Sequence, residues 1–345
     1  MLHGGASRAA SSPSTAEQGD AAGVRNLSST LPEHAFETVE EVEGLLARVG
    51  ERAPGVLAEP ALAVLTSAGK RLRPLLLVLC AGMGEPDRRD LLRAATAIEV
   101  LHTATLIHDD IVDKAESRRG IPTTVATYGR EIAVACGDHL FAEAFSELAE
   151  IGNPRLVRAF SEASEGLAAG ELEQYRASGA TVEVEAYLEH IRKKTAGLFK
   201  AACVAGGTLG GLSLRQIDSL ATYGQALGIA FQMSDDIMDL VGKPGLMGKG
   251  IGADLAEGTV TLPVIFALRE GDTQTIRRVL VAPDPSPELL EAGIEAVLAT
   301  DAVAKTEAWA WGEVDAALEG LELLPVCPER EFLEAIASEV VGRDV

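Results

Sequence analysis

The sequence predicts an all-α protein, and three observations carry that expectation. The 345 residues are 47% hydrophobic but only 4% aromatic, so Leu and Ala supply most of the apolar content and favour helices over strands. Beyond Pro32 the apolar residues recur at helical spacing. No convincing strand and no short-period repeat interrupts them. We therefore expect one helical domain over 34–345, with many antiparallel neighbours.

Taken in order, residues 1–33 are rich in Ser, Ala and Gly without periodicity and read as a disordered tail. The tail lacks the apolar core of a secretory signal. Helices are expected over 37–49 and 56–66. Gly69 breaks the second, and Pro74 fits the first turn of a third that runs through Cys80. Residues 87–113 read as one long helix whose apolar middle implies a central, buried position. Residues 118–122 read as a loop. Helices follow at about 131–150 and at 154–178, where Asn153 fits an N-cap and Pro154 the first helical position. Two more are expected over 183–211 and 214–241. Residues 242–258 are Gly-rich and irregular, with Lys243, Lys249 and Asp254 among them. Helices resume near Leu262, and 283–287 reads as a linker.

The formal net charge of −22 argues against nucleic acid as a partner, because phosphate backbones need basic faces. Against that background the cations cluster, as Lys70-Arg71-x-Arg73, Arg118-Arg119 and Arg192-Lys193-Lys194. The four cysteines, Cys80, Cys136, Cys203 and Cys327, have no C-x-x-C spacing and read as reduced thiols of a cytoplasmic protein. No stretch reaches the roughly 18 apolar residues of a membrane span.

Two D-D-x-x-D motifs stand out, Asp109-Asp110-x-x-Asp113 and Asp235-Asp236-x-x-Asp239, each behind an apolar stretch. A helix advances about 100° per residue, so the first and last Asp of each motif share a face and the middle one stands about a quarter turn away. A solvated helix face explains one such motif. Two, each adjoining apolar sequence, point to a multivalent cation. Hard oxygen ligands suit Mg²⁺, which keeps waters and is completed by substrate phosphates. An EF-hand is excluded by the spacing, and no Glu-x-x-His pair supports a ferritin-like di-metal site.

The segments GKRLRP (69–74), IEVLHTATLIHDDIVD (98–113), RRGIPT (118–123), GDHLFAEAF (137–145), KKTAGLF (193–199), GIAFQMSDDIMDL (228–240) and DL-x-EG-x-x-TLP (254–263) resemble the trans-prenyltransferases, the polyprenyl diphosphate synthases. The resemblance covers about 60–270, in order. It implies the isoprenoid synthase fold, a helical bundle around a hydrocarbon tunnel, usually as a homodimer. It implies a head-to-tail, all-trans condensation of an allylic diphosphate with isopentenyl diphosphate, assisted by about three magnesium ions. By resemblance, Asp109, Asp113 and Asp235 are the main metal ligands, with Asp110, Asp236 and Asp239 in or behind them. Arg118, Lys194 and Lys249 would hold the allylic diphosphate, supported by Thr195 and Gln232. Lys70, Arg73, His102 and Arg119 match the isopentenyl diphosphate ligands. His102 lies seven residues before Asp109, about 20° off its face. The catalytic set is thus Asp109, Asp113, Asp235 and Lys194. His108 and His139 read as core or supporting residues.

One position departs from the pattern, since many members carry Lys where this chain has Thr259. Product length is expected to depend on the helix running up to Asp109. Short-chain members place bulky aromatics four or five residues before the motif, and here these positions are Thr105 and Ala104, followed by Leu101, Ile98, Ala97 and Ala94. Ile98 is about 16 Å below Asp109 along the axis. Nothing on this wall blocks early, so a long-chain product is expected, with transient membrane contact on release. A geranylgeranyl-length synthase, a class I terpene cyclase and a non-catalytic subunit of a heteromeric synthase remain as alternatives. The cyclase needs only one diphosphate pocket, and a non-catalytic subunit typically loses Asp residues from one motif.

Overall fold

The structure is a computed structural model, and it describes residues 32–118, 120–177, 183–242 and 251–342, with the backbone alone over 173–177. Of the tail expected over 1–33, residues 1–31 lie outside the described residues and Glu33 already starts the first helix; the readings of Arg119, Lys243 and Lys249 also lie outside them. The helices are α1 (Glu33–Arg52), α2 (Ala58–Leu65), α3 (Leu72–Gly82), α4 (Arg88–Val112), α5 (Thr124–Tyr128), α6 (Arg130–Ile151), α7 (Pro154–Ala177), α8 (Val184–Ile191), α9 (Gly197–Leu209) and α10 (Leu214–Val241). They continue as α11 (Ala253–Ala256), α12 (Leu262–Glu270), α13 (Thr273–Leu280), α14 (Pro287–Leu298), α15 (Ala302–Leu321) and α16 (Pro328–Val341). This is the all-α class the composition predicts. Among the described residues no helix is long and apolar enough to cross a membrane.

Caps set the two long motif-bearing helices. Asp87 accepts from the Asp90 N–H at 3.1 Å and starts α4. Ser213 and Gln216 form a reciprocal capping box that starts α10. The sequence expectation of one helix over 183–211 needs a correction. The run is continuous, but Arg192–Ala196 between α8 and α9 makes one wider π turn. The expected loop at 118–122 contains a two-residue antiparallel pair, β1 (Ser117–Arg118) and β2 (Ile121–Pro122), too short for apolar alternation to show. Within the segment expected to be irregular, α11 is a single helical turn.

The core is built on α9. It packs on α3, α4, α7 and α10, while α4 lies chiefly on α6 and α10 chiefly on α15. Small residues let these helices approach. A Cβ on Gly206 would stand 2.3 Å from Leu77 O and one on Gly210 2.6 Å from Ala81 O, so α3 and α9 run in the same sense. A Cβ on Gly224 would stand 2.9 Å from Lys200 Cα and one on Gly228 2.6 Å from Ala196 Cα, so α9 and α10 are antiparallel. The expectation of antiparallel neighbours therefore holds for α9–α10 and not for α3–α9. Gly228→Ala is expected to push α10 off the π turn and cost about 1–3 kcal/mol in denaturant titration. Unchanged stability would mean that this close approach is dispensable.

Candidate active site

The C-terminal end of α4 carries the first acidic motif. Asp109 is half-buried and Asp113, the residue that ends the helix, is exposed. Burial pushes the Asp109 carboxyl up to about 7, with Lys194 opposing the shift and the Glu171 and Asp113 charges adding to it. Asp110 turns inward instead. It accepts from Arg118 Nε at 2.9 Å and pairs with Nη2 at 2.9 Å, which fixes the guanidinium from β1 beside the motif.

The second motif, on α10, repeats this division. Asp235 is half-buried, whereas Asp236 is buried and accepts from Tyr187 Oη at 2.6 Å and Gln232 Nε2 at 2.9 Å. Burial and then the Asp254 charge hold the Asp236 carboxyl well above the usual range, against the pull of those two hydrogen bonds. Asp239 accepts from the backbone N–H groups of Ala253 and Asp254 at 3.1 and 3.2 Å, so its carboxylate caps α11. Both middle aspartates thus face supporting side chains.

The π turn joins the two motifs. It places Lys194 Nζ 2.6 Å from Glu171 of α7, in the field of Asp109. The next residue, Thr195, donates from Oγ1 to Gln232 Oε1 at 2.7 Å, and Gln232 continues to Asp236. A regular α turn would rotate Lys194 and Thr195 away from these partners together. Gly170 makes room for the turn, since a Cβ there would meet the Lys194 backbone N at 3.3 Å.

A second cationic group lies at the start of α3. Lys70 and Arg73 are half-buried, and the Arg73 guanidinium sits 4.7 Å above the Phe199 ring of α9. Phe199 in turn contacts Phe231 of α10, with centroids 5.3 Å apart. His102 is half-buried on α4, and its carbonyl accepts from Thr105 Oγ1 at 2.7 Å. His102, Leu106 and Asp109 of α4 are partly exposed at helical spacing, and Asp113 just beyond them is exposed. Leu101 and Ala104 carry no exposed surface and Thr105 only 6%. His108 packs over Gly137 of α6, with Nε2 3.3 Å from Asp138.

The donor set fits a hard divalent cation. A half-buried carboxylate held near 7, with other carboxylates in its field, gains by ionising beside a cation. Among the described residues no three His, Cys, Asp or Glu side chains form a cage by themselves. That suits an ion completed by water and phosphate oxygens. Sequence reasoning missed Glu171 and Tyr187. Glu171 carried a signal, an acid among small residues, and Tyr187 carried none.

Comparison with known proteins identifies the family and the fold. The polyprenyl synthetase family model matches residues 54–296. Heptaprenyl diphosphate synthase component 2 of Geobacillus stearothermophilus is 35% identical over 88% of this chain and 95% of its own length. The polyprenyl synthase of Caulobacter crescentus CB15, solved with calcium and isoprenyl diphosphate, superposes with a TM-score of 0.86 at 32% identity, covering 90% of this chain and 96% of that one. A decaprenyl diphosphate synthase from Rhodobacter capsulatus gives 0.82 at 36% identity, covering 90% and 97%. The chain belongs to the polyprenyl synthetase family and is a trans-prenyltransferase.

Proposed function

We propose that this chain condenses an allylic diphosphate with isopentenyl diphosphate repeatedly to give a long-chain polyprenyl diphosphate. The observation that carries the reading is one helix, α4, bordered by two separate cationic groups. Lys194 and Arg118 stand beside Asp109 and Asp110, while Lys70 and Arg73 stand at the start of α3, and His102 of α4 is assigned to that second group by resemblance. One group serves the diphosphate that leaves and the other the diphosphate that stays.

Asp109, Asp113 and Asp235 would hold Mg²⁺, with Asp110, Asp236 and Asp239 behind them. Bound magnesium supplies Lewis-acid neutralisation of the departing pyrophosphate. Lys194, released from Glu171, and Arg118, oriented by Asp110, bring positive charge to the bond that breaks. Thr195 and Gln232 keep Lys194 in register. Lys249 and Arg119 join the two diphosphate sites by resemblance. The isopentenyl double bond attacks the allylic cation, and the pyrophosphate removes the proton. Arg73, braced on Phe199, and Lys70 hold the second diphosphate throughout.

Long-chain specificity is supported by the small Ala104 and Thr105 and by relatives named for seven and ten prenyl units. We further read the chain as a cytoplasmic homodimer whose product reaches a membrane transiently. One relative is named component 2 of its synthase, so the purified chain should be assayed alone. Pyrophosphate release from farnesyl diphosphate is expected only when isopentenyl diphosphate is present. Release without it would indicate a cyclase, and no release would indicate an obligatory partner.

Thr259 lies where the family often has Lys, and its backbone N–H is tied to Asp254 O at 2.9 Å. We expect Thr259→Lys to change kcat by about tenfold or less, because Lys194 and Lys249 already serve the leaving group. An increase of several orders of magnitude would identify the native chain as an impaired subunit.

A further inference from the structure

Arg71 is the middle cation of the basic loop, yet it is buried to 7% exposure, while Lys70 and Arg73 are only half-buried. Its backbone is left-handed, with φ 46° and ψ 36°, a conformation that a side chain disfavours and glycine takes freely. The cost of that backbone is offset by what the side chain binds. Nε and Nη2 donate to the two Glu43 oxygens of α1 at 2.6 and 3.1 Å. Nη1 donates to Glu99 Oε1 of α4 at 2.8 Å, and Nη2 also reaches the carbonyls of Leu65 and Ser67 at 2.8 and 3.0 Å. One guanidinium thus ties the loop to α1, to the end of α2 and to α4. Glu99 is itself buried to 5% exposure in an otherwise apolar part of α4, three residues before His102.

We propose that Arg71 and Glu99 are a positioning pair that sets the distance between Lys70 on the loop and Arg73 at the start of α3, on one side, and His102 on α4, and so the fit of the diphosphate that stays. This rests on the proposed function. The pair touches no reacting atom and acts through its neighbours. A planar fork with several fixed donors suits the task, and Lys at this position could not satisfy four acceptor groups in the same geometry. Exchanging Arg71 alone would leave the Glu99 carboxylate buried without its partner, so the two are exchanged together, whereas Glu99→Gln leaves Arg71 paired with Glu43.

The test compares the native chain, Glu99→Gln and the double variant Arg71→Met/Glu99→Leu. It uses steady-state kinetics for each substrate, calorimetric binding of isopentenyl diphosphate and thermal melting. In the double variant, KM for isopentenyl diphosphate is expected to rise about tenfold or more while KM for the allylic diphosphate stays within about twofold. For Glu99→Gln, which keeps the side-chain shape, a rise of about threefold in the same direction is expected. Calorimetric affinity should fall in parallel. If both KM values stay unchanged and only kcat or the active fraction drops, the pair is merely structural and the inference is overturned. Should the double variant not fold, Glu99→Gln decides by the same split. A native chain that binds no isopentenyl diphosphate overturns the functional reading and this inference with it, whereas native binding matched by both variants overturns the inference alone.

Discussion

Asp109→Asn is expected to remove most turnover and to make the ligand-free protein more stable. The carboxyl is pushed from 3.8 to about 7, mainly by burial, with the Glu171 and Asp113 charges adding to the effect. An acid whose folded pKa is raised binds its proton more tightly when folded. The folded state therefore loses stability as pH rises from about 4 to about 7, and the loss is complete above 7. Asn carries no charge to bury, so its gain in Tm should be absent near pH 4 and reach roughly 2–6 °C at pH 8. The same change removes a charge from the place where a cation and a leaving pyrophosphate are to be held. We expect kcat/KM to fall by roughly 10³-fold or more. The opposed signs make the test informative, since damage to the fold would lower both quantities. A variant with native turnover, or one less stable at pH 8, would remove Asp109 from the centre of the site.

Ala104→Phe is expected to shorten the product. Ala104 lies five residues before Asp109 and carries no exposed surface, so a phenyl ring there must push into the space beside α4. Overpacking of this kind costs about 1–3 kcal/mol, which a fold of this size tolerates. Chain growth past the ring should then stall, with products at or below geranylgeranyl length and turnover of the first condensation retained. Unchanged product length in a folded, active variant would place the growing chain along another helix. Leu101 and Ala104 are sealed and Thr105 nearly so, while His102 and Leu106 are partly exposed. A long product must therefore part side chains along this helix as it grows.

The helices carrying the chemistry were legible because their signals are local. The expected bounds 87–113 and 214–241 agree with α4 and α10, whose starts Asp87 and the Ser213–Gln216 box cap within the local chain. Both D-D-x-x-D motifs fall at the C-terminal ends of those helices, as the expected bounds placed them. What stayed hidden depends on contacts between distant residues. The π turn at Arg192–Ala196 has an ordinary helical sequence and is marked only by what Lys194 and Thr195 reach. The inward turn of Asp110 and Asp236 follows from Arg118 and Tyr187, which lie on other elements. Arg71 reads in sequence as one more cation of the loop, and only its left-handed backbone and buried carboxylates separate it from Lys70 and Arg73. Glu171 lies on α7, and only packing brings it to Lys194.

The central claim is that one helix presents both the ionising site and the wall along which the product grows. Mass spectrometry of the products made by the purified chain from farnesyl diphosphate, isopentenyl diphosphate and Mg²⁺ tests it most directly. A ladder of all-trans polyprenyl diphosphates extending well past geranylgeranyl length is expected. Products that stop at or below that length, or cyclic hydrocarbons formed without isopentenyl diphosphate, would contradict it.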